Sequence, residues 1–258
     1  NPCDYEKINK ICKKYKLILV EDNCESLGAI FRENKCGSFG LWSSLSSYYS
    51  HHISTIEGGF FLTDDKELFS IAKSIRSHGW IRGQENNIYF NTKKYTSEKQ
   101  KFLFFLPGYN IRSTEINASI GIEQFKKINK FIRNRKLNYK IIKKILNQYE
   151  NIKIQEQTGS SSWFGFGLLF KTKRGKFENI LNIFKKNQID TRPIVTGDFT
   201  KQPVMKYYSK NNKKYNLKNC KIIDNFGIMI GNSQNILTKL QKKNLEDTFY
   251  KINLLINS

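Results

Sequence analysis

Two short segments of this sequence carry side chains that can hold or move a proton. In the first, Glu21 and Asp22 follow the apolar run 17–20, and in the second, His51 and His52 stand side by side a few residues before a Glu-Gly-Gly turn. Imidazole is an effective acid or base near neutral pH, and a carboxylate can pair with a cationic group. These residue types point to acid/base chemistry beside a held positive charge.

Each of these residues also has an ordinary structural explanation. An aspartate at the end of a strand commonly caps a helix, and a His-His pair is commonly a surface feature or a core histidine with one partner. A metal site would need a third ligand, which only His78, the cysteines and the carboxylates could supply, so we predict no metal site. Taken singly, the residues leave the function open.

Helices and strands of alternating type must position these residues. Helical periodicity over 5–12, with Asp4 as its N-cap, is followed by the run 17–20, which predicts a buried parallel strand. Ligands of parallel sheets bind at the carboxyl ends of strands, where Asp22 stands. Further strands are predicted over 44–49, 58–63, 163–170 and 227–230, and helices over 65–76, 113–149, 176–187 and 237–256.

The elements group into two α/β lobes. We predict a large domain over 1–125, a connecting long helix over 126–150 and a small C-terminal domain over 151–258. The helical stretch that contains the connecting part begins near Ser113, within the large domain. The chain has no initiator Met and opens on half of an α/β unit. We therefore expect an N-terminal part of the large domain to precede residue 1, and an exposed sheet edge in its absence.

The composition excludes several classes of protein. Of the 258 residues, 39% are hydrophobic and 14% aromatic, which is enough for a core and too aromatic for a disordered chain. No apolar run approaches the ~20 residues of a membrane helix, and no secretory signal is present. The five cysteines form no C-x-x-C pair, which is typical of free thiols in the cytoplasm.

The charge raises the possibility of a polyanionic partner. Lys and Arg number 44 and Asp and Glu 22, which gives a formal net charge of +22. The basic residues are 36 Lys and only 8 Arg, however, and they are scattered over helical faces, whereas nucleic-acid readers depend on Arg forks. A solvated lysine surface is the favoured interpretation, and nucleic-acid binding stays an alternative.

Four segments, 20–29, 46–59, 107–121 and 191–203, stand out by their spacing. The first reads E-D-x-x-x-x-x-G-A, the second ends in E-G-G, and the third reads G-Y-N-x-R-x-x-x-x-x-A-x-x-G. In this order they resemble the DegT/StrS family of sugar aminotransferases, pyridoxal-phosphate enzymes with the aspartate aminotransferase fold (fold type I). The resemblance implies a large domain with a mainly parallel sheet and a small C-terminal α/β domain.

The second segment departs from the family pattern at one position. His51 stands where the aminotransferases have the lysine that binds the cofactor aldehyde, and no lysine occurs between Lys35 and Lys66. Imidazole forms no stable imine with an aldehyde, so the site cannot hold the cofactor covalently. One branch with this replacement is the nucleotide-sugar 3-dehydratases. Residues 60–110 contain no cysteine to ligate an iron–sulfur cluster, so the resemblance is to the cluster-free kind.

The resemblance implies a role for each matched residue. Asp22 would pair with the pyridine nitrogen of pyridoxal or pyridoxamine phosphate, and Glu25 would meet the phenolic oxygen. Ser46 would hydrogen-bond the phosphate, which Asn110 would reach from the neighbouring subunit of a homodimer. His51 would be the catalytic acid and base.

The implied reaction is dehydration at C3 of a nucleotide-linked 4-keto-6-deoxyhexose, for deoxysugar synthesis toward surface polysaccharide. The partners would be the nucleotide sugar, which Arg192 would contact, and glutamate as amino donor. For Arg192 a surface role in the small lobe is the alternative. We expect a cytoplasmic enzyme with no membrane partner and no specific nucleic acid.

Other functions stay open on the sequence alone. An ordinary sugar aminotransferase would release a stable 4-amino sugar. A non-catalytic family member would have lost its chemistry together with the lysine and would not retain the cofactor.

Overall fold

The computed structural model of the chain describes residues 1–84, 89–208 and 216–258. By their contacts these residues form two compact units. The first comprises residues 1–129 with 158–161, and the second comprises residues 130–157 with 162–258. The predicted connecting helix over 126–150 therefore lies in the second unit from Lys130 onward.

The first unit consists of helices and short strands. In chain order its elements are α1 (Tyr5–Tyr15), β1 (Val20–Asp22), β2 (Ile30–Phe31), β3 (Asn34–Lys35), β4 (Trp42–Ser46), β5 (Gly59–Leu62), α2 (Lys66–Ile75), α3 (Ser97–Gln100) and α4 (Glu115–Phe125). The predicted N-cap at Asp4 is confirmed, because its side chain accepts the N–H of Lys7 at 3.2 Å. Asp65 caps α2 in the same way, by accepting the N–H of Leu68 at 2.9 Å.

The main sheet of this unit has the strand order β1-β4-β5. β1 runs parallel to β4, with Asp22 opposite Ser44, and β4 runs antiparallel to β5. The described part of this sheet therefore has mixed pairing, parallel between β1 and β4 and antiparallel between β4 and β5. The physical reason is the connection 47–58, which returns the chain to the adjacent position without the crossover helix that parallel neighbours need.

The apolar run 17–20 is not the buried strand that its composition predicts. β1 begins at Val20, and Leu17 and Ile18 are 56% and 73% exposed. As an edge strand, β1 buries a single side chain, that of Glu21. Burial on both faces, which produces continuous apolar strands, needs a central position in the sheet.

The helical stretch predicted over 113–149 is divided in two. α4 begins after Thr114 and not at Ser113, and α5 (Ile128–Leu146) starts after a break at 126–127. The hydroxyl of Thr114 accepts the N–H of Asn117 at 3.3 Å, while the Asn117 side chain accepts the N–H of Thr114 at 3.4 Å. This reciprocal pair is a capping box, with Asn in the usual place of Glu or Gln.

The second unit packs helices on an antiparallel sheet. After α5 come β6 (Ile152–Ile154), β7 (Gly165–Phe170), α6 (Arg174–Lys186), β8 (Thr191–Arg192), two short 3₁₀ helices, α7 (Lys218–Phe226), β9 (Gly227–Gly231) and α8 (Lys239–Asn257). The strand order is β6-β7-β9-β8, and every pairing is antiparallel. Its core contains five aromatic side chains that are at most 1% exposed, those of Trp163, Phe166, Phe170, Phe184 and Phe249. Among the described helices of both units, none is long and apolar enough to span a bilayer.

Candidate active site

Asp22 lies at the carboxyl end of β1, where its exposed side chain meets the neighbouring strand. Its Oδ1 accepts the backbone N–H of Cys24 at 3.1 Å and the hydroxyl of Ser44 at 3.4 Å. One carboxylate oxygen of Asp22 is thus held by the backbone of the turn and by the neighbouring strand.

The surroundings of Asp22 favour its ionised form. The side chain and the backbone N–H of Cys24 are the main causes that lower the pKa of Asp22. Burial opposes them, and the Ser44 hydroxyl and the charge of His51 lower the pKa by smaller amounts. Burial and the neighbouring Asp22 in turn raise the pKa of the Cys24 thiol, so this thiol stays protonated. Asp22 is therefore ionised at neutral pH, and His51 is close enough to affect its pKa.

His51 and His52 occupy different environments. His51 is half-buried, its backbone N–H donates to the carbonyl of Tyr48 at 2.9 Å, and its ring meets the Tyr48 ring edge-on at 5.8 Å. His52 is only 1% exposed and belongs to the core of the unit. The pair therefore divides into a half-buried imidazole, which acts electrostatically on Asp22, and a fully buried one.

Ser46 is the last residue of β4, and Glu25 lies on the segment that follows β1. The Ser46 hydroxyl oxygen accepts the N–H of Tyr48 at 3.1 Å, which leaves its own O–H to donate to an anion. Glu25 is exposed in the turn after Asp22. Both side chains are in the first unit with Asp22 and His51.

Asn110 and Arg192 contact residues other than Asp22, Ser46 and His51. Asn110 is exposed and forms a backbone bridge with Ser77, after the end of α2, and it makes no described hydrogen bond to Asp22, Ser46 or His51. Arg192 belongs to the second unit. On β8 its guanidinium lies over the Phe164 ring at 5.5 Å and contacts the Met229 sulfur at 3.7 Å.

Glu21, next to Asp22, has a structural role that its place in the sequence does not predict. It is 5% exposed, and its carboxylate accepts the N–H groups of Gly37, Phe39 and Gly40 at 2.7, 2.6 and 2.7 Å. Burial and a hydrogen bond to Glu21 raise the pKa of the Tyr5 hydroxyl. Glu21 thereby fastens the strand that ends in Asp22 to the turn that leads into β4. The only sequence signal was an acidic residue inside a strand.

Glu21→Gln should destabilise the first unit by about 2–3 kcal/mol, because the amide nitrogen cannot accept the N–H groups that the carboxylate accepts. The exposed Glu25→Gln is the isosteric control and should change stability by less than about 0.5 kcal/mol. Urea unfolding followed by fluorescence, with m-values compared, measures both. Equal midpoints for the two variants would show that the Glu21 hydrogen bonds contribute nothing.

The donor set does not resemble a metal centre. The described residues contain no group of three or more His, Cys, Asp or Glu side chains that could hold a metal ion. The arrangement instead places an ionised carboxylate, hydroxyl groups and an imidazole around the end of β1 and the segment after β4. Such a set can hold a cationic ring nitrogen and an anion, and can exchange a proton.

Comparison with known proteins shows what this arrangement belongs to. A model of the DegT/DnrJ/EryC1/StrS aminotransferase family matches residues 1–242. The chain is 41% identical over 239 residues to GDP-4-keto-6-deoxy-D-mannose 3-dehydratase of Escherichia coli O55:H7, which covers 91% of this chain and 61% of that protein.

Solved structures give the same result. An E. coli GDP-4-keto-6-deoxy-D-mannose-3-dehydratase with bound hydrated PLP matches with a TM-score of 0.87 and 37% identity, covering 99% of this chain and 64% of that one. A GDP-4-keto-6-deoxymannose-3-dehydratase with a trapped PLP-glutamate geminal diamine matches with a TM-score of 0.83 and 34% identity, over 99% and 65% of the chains.

The chain spans less than two thirds of the length of these relatives. Over that span, the structural likeness confirms the predicted aspartate aminotransferase fold, and the sequence likeness confirms the family inferred from the motifs. The chain belongs to the DegT/DnrJ/EryC1/StrS aminotransferase family.

Proposed function

We propose that the protein removes the C3 hydroxyl of a nucleotide-linked 4-keto-6-deoxyhexose, with pyridoxamine phosphate as cofactor and glutamate as amino donor. The observation that carries the proposal is a half-buried His51 that acts electrostatically on the pKa of Asp22, in a stretch with no lysine between Lys35 and Lys66. The 3-dehydratase names of the similar proteins support the reaction, and the PLP-glutamate adduct of one of them supports the amino donor.

The chemistry of the donor set fits this cofactor. The ionised carboxylate of Asp22 would pair with a protonated pyridine nitrogen, and the Ser46 hydroxyl would donate to a phosphate oxygen. Glu25 would meet the phenolic oxygen, and Asn110 would reach the phosphate from a second subunit. Pyridoxamine phosphate, when bound, supplies a primary amine for the C4 ketone and a ring that accepts an electron pair.

His51 would carry the proton. Its Nδ1 is shielded from solvent, so we assign the exchange to Nε2, which would take a proton and return one to the departing C3 hydroxyl. Overall, glutamate is oxidised to 2-oxoglutarate and releases its nitrogen as ammonia, while C3 of the sugar is reduced from CHOH to CH₂. Each turnover thus yields one ammonia, one 2-oxoglutarate and one 3,6-dideoxy-4-keto sugar, and the atoms and electrons balance.

A homodimer in the cytoplasm completes the proposal. The homodimer follows from the role proposed for Asn110, which would reach the phosphate from a second subunit. All five cysteines are free, which suits a reducing compartment. Arg192 is proposed to contact the nucleotide sugar.

A sugar aminotransferase is the second candidate, because the family to which the chain belongs is described by that activity. The two candidates share the cofactor and the amino donor, and they differ in the fate of the nitrogen. An aminotransferase leaves it on C4 of the sugar, whereas a dehydratase releases it as ammonia.

The experiment supplies the full-length protein with pyridoxamine phosphate, glutamate and a 4-keto-6-deoxy nucleotide sugar. We expect equal amounts of ammonia and 2-oxoglutarate, and a sugar product lighter by one oxygen in its mass spectrum. A stable 4-amino sugar with no ammonia would contradict the dehydratase and support the aminotransferase. If neither ammonia nor a 4-amino sugar forms, the result would support the non-catalytic alternative.

A further inference from the structure

The segment that carries His51 is a loop closed upon itself. This loop, residues 47–58, is called the His51 loop below. At its closure the N–H of Ser47 donates to the carbonyl of Gly58 at 3.0 Å, and the N–H of Thr55 donates to the carbonyl of Ser47 at 2.8 Å. The hydroxyls of Ser47 and Thr55 lie 2.6 Å apart, and both residues are buried. These contacts fix the base of the loop, and His51 lies in the part of the loop between Ser47 and Thr55.

Gly58 shows how tight this closure is. Its φ of 151° lies in a region that L-residues with side chains rarely adopt. A Cβ at this position would stand 2.6 Å from the Thr55 hydroxyl oxygen and 2.9 Å from that of Ser47. The Glu-Gly-Gly motif of the sequence thus provides the space in which the hydroxyl pair closes the loop.

A second element fastens the His51 loop from outside. The side-chain amide nitrogen of Asn117, in the first turn of α4, donates to the carbonyl of Thr55 at 2.6 Å and to that of Glu57 at 3.3 Å. One turn later, a Cβ on Gly121 would come within 2.8 Å of the Thr55 methyl carbon. The start of α4 therefore packs closely on the base of the loop.

The oxygen and the nitrogen of the Asn117 side-chain amide bind different partners. Its Oδ1 accepts the N–H of Thr114 at 3.4 Å and the Thr114 hydroxyl at 2.5 Å, which completes the capping box of α4. Its Nδ2 is used entirely on the carbonyls of the His51 loop. A residue that only capped the helix would need the oxygen and not the nitrogen.

We propose that Asn117 is a positioning residue for His51, because it ties the His51 loop to α4 and so limits the movement of the imidazole. The catalytic consequence rests on the proposed function, whereas the tie itself does not. Without the Nδ2 donor, the carbonyls of Thr55 and Glu57 accept hydrogen bonds from water instead. The loop then samples conformations in which His51 is displaced. A displacement of about 1 Å at a catalytic group can cost about 100-fold in rate.

The test uses a pair of variants that separate the two ends of the amide. Asn117→Asp keeps the acceptor for Thr114 but replaces the Nδ2 donor with a second acceptor that faces two carbonyls. Thr114→Ala removes the capping hydroxyl but keeps the Nδ2 donor. Both are made in the full-length protein, and hydrogen exchange is followed by mass spectrometry at the loop and at the first turn of α4.

For Asn117→Asp we expect exchange in the His51 loop to speed up by about tenfold or more, with α4 unchanged. Its kcat for dehydration should fall by about 10- to 100-fold, while the KM for the sugar stays within about twofold. Thr114→Ala should give the opposite exchange pattern, with faster exchange in α4, an unchanged loop and an unchanged kcat.

Unchanged exchange in the loop of Asn117→Asp, or equal exchange patterns in the two variants, would overturn the proposal. If Asn117→Asp does not fold, Asn117→Ser removes the donor with a smaller neutral side chain, and the same loop exchange decides. If the wild-type protein releases no ammonia, the proposed function fails, yet the exchange comparison still decides whether Asn117 holds the loop.

Discussion

His51→Ala is expected to lower kcat for ammonia release by about 10²–10⁴-fold, the usual contribution of a positioned acid or base. The half-buried His51 side chain packs edge-on to Tyr48 and lies outside the core, so the fold should survive the change. Coupled assays of ammonia and 2-oxoglutarate measure the loss. Binding of pyridoxamine phosphate, measured by fluorescence, should change much less, because His51 is assigned to proton transfer and not to holding the cofactor.

His78→Asn is the matched control for the loss of an imidazole. His78 is exposed and has a φ of 62°, a conformation that Asn tolerates well, so fold and activity should be retained. Equal activity of His51→Ala and the wild type would remove His51 from the mechanism.

The variant His51→Lys tests whether position 51 faces the cofactor, and it does not test the reaction rate. A lysine at 51 should bind the aldehyde of added pyridoxal phosphate covalently and produce a visible absorption band. The absence of that band, with pyridoxal phosphate otherwise bound, would mean that position 51 does not face the cofactor.

Asp22→Asn is expected to weaken the binding of pyridoxamine phosphate by about 2–5 kcal/mol, or about 30- to 5,000-fold. The physical reason is that a ring cation would lose its carboxylate while the amide keeps the shape of the site. Asp64→Asn changes an exposed aspartate just after β5 and should leave the affinity unchanged. Isothermal titration of both variants with the cofactor makes the comparison, and equal affinities would exclude Asp22 as the partner of the ring.

The pH dependence of binding follows from the same carboxylate. Its pKa lies below the usual value of about 3.9, mainly through the Cys24 side chain and backbone. Because its pKa is lowered, Asp22 is fully ionised above that usual value. Any cofactor affinity that depends on its charge is therefore fully present there. The contribution of Asp22 should therefore be constant across neutral pH and should be lost only as the pH falls through the lowered value.

Local rules explain which parts of the fold could be predicted. Asp4 caps α1, and the later strands and helices lie within a few residues of their predicted positions, because these features depend on neighbours in sequence. The differences have a local and a distant cause. The local one is that Thr114 and not Ser113 caps α4, because Asn117 completes a capping box with Thr114. The run 17–20 is largely exposed because β1 lies at the edge of the sheet.

The sequence by itself determined the family, the aspartate at a strand end and the imidazole in place of a lysine, since all of these can be read from residue types and their spacing. Only the tertiary structure decided that His51 and not His52 is accessible, that Glu21 fastens β1, and that Asn117 holds the loop. These depend on contacts between residues as far as 62 positions apart in the chain, where burial and hydrogen-bond partners are set by packing and not by the local pattern.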